Sequence, residues 1–75
     1  MLENKPIEFS LEGREFIELN NLLKITGLCS SGGEAKALIA SNQVKVDGQV
    51  ELRKRCKLRP NQRVDFNEAQ VIIKP

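Results

Sequence analysis

The stretch Val44-Lys45-Val46-Asp47-Gly48-Gln49-Val50 constrains this chain more than any other. Asp-Gly between alternating apolar residues specifies a two-residue hairpin loop. Both central residues of that loop take positive φ, which aspartate tolerates and glycine accepts freely. The alternation also sets the faces, turning Val44 and Val46 inward and Lys45 outward. With only 75 residues around it, the hairpin belongs to one domain spanning 1–75. The core of such a domain is thin, because a chain this small buries only roughly 60% of its unfolded surface.

Other elements follow from periodicity. Ile7-Glu8-Phe9-Ser10-Leu11 alternates as a half-buried strand does. Glu12-Gly13-Arg14 can turn it, and Phe16-Ile17 is expected to pair back as an opening hairpin. Leu19, Leu22 and Leu23 fall at helical spacing. They predict a helix from about Asn20 to Thr26, with Asn20 or Asn21 as its cap and Gly27 closing it. Ser31-Gly32-Gly33-Glu34 fits a reciprocal capping box. In it the Ser31 hydroxyl accepts from a free helix amide and Glu34 reaches back to the Ser31 amide. Ala35, Leu38 and Ile39 form the buried stripe of this second helix, Lys36 points away from it, and Asn42 ends it.

Beyond the hairpin, an extended Arg53-Lys54-Arg55-Cys56-Lys57-Leu58 would place Lys54, Cys56 and Leu58 on one face and Arg53, Arg55 and Lys57 on the other. Pro60-Asn61 turns the chain. Val64 and Phe66 then alternate with Arg63 and Asp65, and a strand at Val71-Ile72-Ile73 follows Asn67-Glu68. These elements predict an α+β fold, with two short helices packed on a small, mostly antiparallel sheet.

Enzymatic chemistry finds little to work with. The chain has no histidine, the usual acid–base group near neutral pH. Ser30 and Ser31 have no base nearby in sequence, and carboxylates fall singly in the polar phase of strands. A non-enzymatic protein without a cofactor is expected. No metal site is expected either, since there is no Cys-x-x-Cys and Cys29 and Cys56 stand 27 positions apart. Two cysteines allow one disulfide. In an unsecreted chain, two reduced thiols serving as small apolar packers are the expected state. No apolar run approaches the roughly 18 residues of a membrane helix. The opening MLENKPIEF lacks the basic-then-apolar layout of a secretory leader, so a cytoplasmic location is expected.

Charge is unevenly distributed. Residues 1–34 carry three bases against six acids, whereas 35–75 carry nine bases against four acids. Basic clusters attract polyanions. Lys36, Lys45, Arg53, Lys54, Arg55 and Lys57 form a local constellation with only Asp47 and Glu51 to balance it. Ser30-Ser31-Gly32-Gly33, ahead of a helix, reads either as a flexible turn into a capped helix or as backbone amides open to a phosphate.

From Leu19 to Phe66, about two-thirds of the chain, the sequence resembles the RNA-binding domain named after the fourth protein of the small ribosomal subunit. The family pattern is a leucine helix, then Gly-x-x-Ser-Ser/Thr-Arg-x-x-Ala-Arg-x-x-Ile, a glycine, and Val-x-Val-Asn-Gly. It is met here by Leu22-Leu23, by Gly27-Leu28-Cys29-Ser30-Ser31-Gly32-Gly33-Glu34-Ala35-Lys36-Ala37-Leu38-Ile39, by Asn42, and by Val44-Lys45-Val46-Asp47-Gly48. More narrowly, it is similar to the compact stand-alone bacterial members. Gly32 stands where the family commonly has arginine and Gln62 where many members have aspartate, while Lys36, at the second basic helix position, keeps its charge.

The resemblance implies that the helix pair and hairpin bind double-helical or folded RNA, ribosomal or transfer RNA in the first instance, through phosphates. Lys36, Lys45, Arg53, Lys54, Arg55 and Lys57 are the expected contacts, helped by the Gly32 and Gly33 amides. Composition agrees independently. Readers of single strands stack bases on aromatic side chains, and this chain has only Phe9, Phe16 and Phe66, all in strand-like alternation and expected in the core. Neutralising about four to six phosphates predicts a log–log salt slope of roughly −3 to −5. A monomer is expected. The competing class is a protein-interaction adaptor whose basic face docks an acidic partner, for example on a ribosomal particle.

Overall fold

A computed structural model describes residues 6–75; residues 1–5, which carry much of the leader argument, lie outside the described residues. Along the chain come β1 (Ile7–Ser10), β2 (Ile17–Glu18), α1 (Leu19–Ile25), α2 (Gly32–Ala40), β3 (Val44–Val46), β4 (Gln49–Val50), β5 (Lys57–Leu58), β6 (Arg63–Phe66) and β7 (Ala69–Lys74). A five-stranded sheet has the order β1-β7-β6-β3-β4, and β2 and β5 form a separate two-stranded ribbon. Every pairing is antiparallel except β1 with β7. The architecture is the expected one of two short helices and a mostly antiparallel sheet.

The hairpin forms as its sequence requires. Asp47 and Gly48 take φ of 52° and 85°, and Val46 pairs with Gln49 across the loop. Val44, Val46, Val64, Phe66, Val71 and Ile73 line the inner face of the sheet. Leu19, Leu22 and Leu23 of α1 and Ala35 and Ile39 of α2 complete one apolar cluster with them; Leu38 is only half-buried at its margin. Among the described residues no polar or charged residue is buried.

The opening hairpin is not formed. Glu12 and Gly13 do turn the chain, with φ of 53° and 91°, but Phe16-Ile17 does not return to β1. Instead β1 lies parallel to β7, matching Ile7 to Val71 and Phe9 to Ile73, and Ile17 pairs with Leu58. The alternating β7 offers β1 a continuous apolar inner row. Leu11 then extends the contact by donating its amide to the Lys74 carbonyl at 2.9 Å.

Both helix starts also differ in detail. Helix α1 begins at Leu19 with Glu18 in the cap position, and no side chain caps it. Its first amides are satisfied from a distance: Leu19 donates to the Cys56 carbonyl at 2.9 Å and Asn20 to the Lys54 carbonyl at 3.1 Å. In α2 the Ser31 hydroxyl accepts from the Glu34 amide at 3.1 Å, as expected. The Glu34 carboxylate, however, reaches one residue further back, accepting from the Ser30 amide at 2.8 Å and the Ser30 hydroxyl at 3.3 Å. Asn42 ends α2 in the left-handed region at φ 66°.

Candidate nucleic-acid interface

The basic run is not extended over Arg53–Leu58. Only Lys57–Leu58 is strand, and Arg53 to Cys56 is a turn closed by the Cys56 amide on the Arg53 carbonyl at 3.2 Å. Its shape comes from Glu51. That carboxylate accepts from the Arg53 amide and Nε, both at 2.9 Å, and from Arg53 Nη2 at 3.0 Å. A two-pronged guanidinium–carboxylate pair with an added backbone bond is a strong, directional clamp. Hydrogen bonding from the Arg53 side chain brings the Glu51 carboxyl down to about 2. Much of the Arg53 charge is therefore answered inside the chain.

On its other side the turn is held by α1, whose first amides take the Lys54 and Cys56 carbonyls. Two anchors thus fix a turn from which Arg53, Arg55 and Lys57 line one shallow pocket of about 360 Å³, with Cys56 among its walls. Arg53 Nη2 lies 3.7 Å from the Cys56 sulfur. Burial, and then the Glu51 charge, push that thiol up; burial, and then Glu34, do the same to Cys29. Both cysteines are free and buried, and protonated thiols of this kind are poor nucleophiles.

The ribbon adds residues that the sequence reading passed over. Ile17 and Leu58 pair inward, so Glu18 and Lys57 pair outward, and one further step along the register sets Phe16 opposite Arg59. Phe16 is not a core residue. It is partly buried and outside the apolar cluster, while Phe66 is buried and Phe9 packs against that cluster. Lys57 Nζ lies 4.9 Å and Arg59 Cζ 5.8 Å from the Phe16 ring centre. The alternation Arg53, Arg55, Lys57 continues to Arg59, which was the available signal.

Of the remaining predicted residues, Lys54 shares the turn and the others stand on other elements. Lys36 is exposed on α2, one turn after Gly32 and Gly33, and α2 packs on the helix that anchors the basic turn. A Cβ at Gly32 would meet nothing within 4 Å. Lys45 is exposed on the outer face of the sheet, in register between Val50 and Asp65, so it has an acid for a neighbour. Lys54 is exposed on the turn itself. Of the six bases, then, Arg53, Arg55 and Lys57 meet at one pocket, Lys54 adjoins them in the turn, and Lys36 and Lys45 sit on α2 and β3.

Gln62 also finds a role. Its Nε2 donates to Asp47 Oδ2 at 3.0 Å, and its Oε1 accepts from the Arg59 amide at 2.7 Å, tying the hairpin loop to the exit of β5. Asp47 Oδ1 accepts from the Arg63 amide at 3.0 Å. These bonds, the Arg63 amide first, hold the Asp47 carboxyl below its ordinary value. Among the described residues no group of three His, Cys, Asp or Glu side chains is placed to hold a metal. Nor is any described helix long and apolar enough to cross a membrane.

A helix pair laid on a small mixed sheet, with a positively charged turn pinned beneath the first helix, defines a small basic α+β domain. Residues 9–74 match the S4 domain family, and the chain belongs to that family. It is 53% identical over 58 residues to YbcJ of Escherichia coli, which bears the name of a candidate RNA-binding protein, with 77% of this chain and 83% of YbcJ covered. It is equally similar to the uncharacterized YbcJ of Shigella flexneri, at 53% identity over 58 residues. A solution structure of E. coli YbcJ, described as revealing an αL motif involved in RNA-binding, shares the fold at a TM-score of 0.68, with 45% identity and 96% of both chains covered.

Proposed function

We propose that this chain is a single, non-enzymatic RNA-binding domain that grips structured RNA, ribosomal or transfer RNA, as a cytoplasmic monomer. The observation that carries the reading is the basic turn. Arg55 and Lys57 project from a backbone fixed at both ends, by the Glu51 clamp and by the α1 amides, beside a pocket open to an anion. Pre-organised cations lose little freedom when a phosphate arrives. Membership of the S4 domain family and the RNA-binding αL motif described for YbcJ support the same reading. Lys36, Lys45 and Lys54, with the Gly32 and Gly33 amides, extend the contact to neighbouring phosphates along a folded RNA. Because Glu51 answers Arg53, five of the six bases remain to meet phosphates, and the log–log salt slope should be roughly −3.5 to −4.5.

Titrating a folded ribosomal RNA fragment at several salt concentrations tests this, and affinity that ignores salt would refute it. The adaptor reading draws on the exposed Val50 and Leu52, at 47% and 55% accessibility, beside the edge strand β4. Arg55→Glu with Lys57→Glu separates the two. Loss of RNA favours the RNA-binding reading, whereas retained RNA with loss of a protein partner favours the adaptor.

A further inference from the structure

We infer that Phe16, flanked by Lys57 and Arg59, is a stacking site for one unpaired nucleobase of the bound RNA, an inference that rests on the RNA-binding reading. Three observations carry it. First, Phe16 lies outside the apolar cluster that takes in Phe9 and Phe66, so packing in the core does not account for a ring at this position. Second, the ribbon register sets Phe16 on the outward side with Arg59 and Lys57, and both cations approach the ring, at 5.8 Å and 4.9 Å. Third, Lys57 belongs to two places at once: it lines the pocket with Arg53 and Arg55, and it lies over the ring. A phosphate paired with Lys57 therefore sets the base of its own or the next nucleotide beside Phe16.

In the free protein the two exposed cations cover the ring through cation–π contacts, which are weak at exposed sites. A phosphate oxygen is the stronger partner for both, because the hydrogen bond is then between opposite charges. As Lys57 and Arg59 turn to phosphates, the ring is uncovered, and a base can lie on it with the Arg59 guanidinium plane free to stack as well. Glu18, opposite Lys57 in the ribbon, keeps this strip from being uniformly basic and so favours a neutral base here over another phosphate. Every base has a π-face, so the site is indifferent to base identity. It does require a base that is not held in a pair, which a bulge or loop beside a stem supplies and an unbroken duplex does not.

The probes are a synthetic RNA stem-loop with one bulged 2-aminopurine and the same stem fully paired, titrated with wild type, Phe16→Leu and Phe16→Trp. Wild type should prefer the bulged stem by roughly five- to tenfold, in line with one stacked base less the contacts given up. Binding should quench the 2-aminopurine. Phe16→Leu keeps an apolar side chain at a partly buried position outside the core, so the fold is kept and binding should fall to the level of the paired stem, with the preference and the quenching lost. Phe16→Trp should keep or strengthen both. Equal binding of the two stems by wild type, or a preference that survives in Phe16→Leu, overturns the stacking site and leaves the RNA-binding reading standing. No binding of either stem overturns both.

Discussion

Replacing Gly32 with arginine should strengthen RNA binding without unfolding the domain. Gly32 opens α2, its backbone is outside the left-handed region, and a Cβ there meets nothing within 4 Å, so the side chain has room. Two effects on stability oppose each other. Removing glycine from a helix stabilises by about 0.5–1 kcal/mol. A positive charge in the first turn works against the helix dipole by about 0.3–1 kcal/mol. The difference is within about 0.7 kcal/mol, or a Tm change of no more than about 6 °C for a domain of this size. For binding, one added charge-assisted contact at an exposed site contributes about 1 kcal/mol, roughly a fivefold gain in affinity. The same contact should steepen the log–log salt slope by about 0.7–0.9. Fluorescence anisotropy of a labelled stem-loop RNA at four or five salt concentrations reads both quantities, and a thermal melt checks the fold. A folded variant whose affinity and slope equal those of wild type would place the first turn of α2 off the RNA-facing surface, and the reasoning would fail there.

Three other outcomes follow from named bonds. Glu51 is held near 2 against an ordinary 4.5, so its clamp supports the fold fully above about pH 4.5 and is lost as pH falls towards 2. Wild type should therefore lose Tm more steeply than Glu51→Gln across that window in a pH series of melts, while Glu51→Gln should melt a few degrees lower at neutral pH; parallel curves would refute the clamp. Asp47→Ala removes the acceptor for the Arg63 amide and Gln62 and strains a residue at φ 52°, so urea denaturation should show a loss of about 1–2 kcal/mol, with Asp47→Asn clearly milder. Ser31→Ala removes the cap of α2 and should lower stability by about 1 kcal/mol in the same assay, with a smaller effect of Ser31→Gly.

What could be read from the sequence was what is decided within a few residues. The Asp47-Gly48 loop, the Ser31 cap and the alternation of Val64 and Phe66 each depend on neighbours in the chain, and each formed as expected. The misreadings share a cause. The cap of α1 comes from carbonyls more than thirty residues away, so Asn20 and Asn21 were the wrong place to look. The partner of β1 lies more than sixty residues on, and a turn at Glu12-Gly13 looks the same whether or not the chain comes back. Treating 53–58 as extended overlooked Glu51, two residues before Arg53 and within reach of folding it into a turn. The role of Phe16 was hidden for another reason: alternation places a residue on a face, but burial there depends on what covers it, and here that is Lys57 and Arg59.

The parallel pairing of β1 with β7 sets a timetable for folding. Strand β1 is made more than sixty residues before the strand it pairs with, so Ile7 and Phe9 wait for Val71 and Ile73 until that much more chain has been synthesised. Segments 19–58, which hold both helices and the pinned turn, carry their mutual contacts within themselves and need not wait. Closure over so long a separation is slow. A nascent chain of this kind would carry its charged turn in working order before the sheet behind it was sealed.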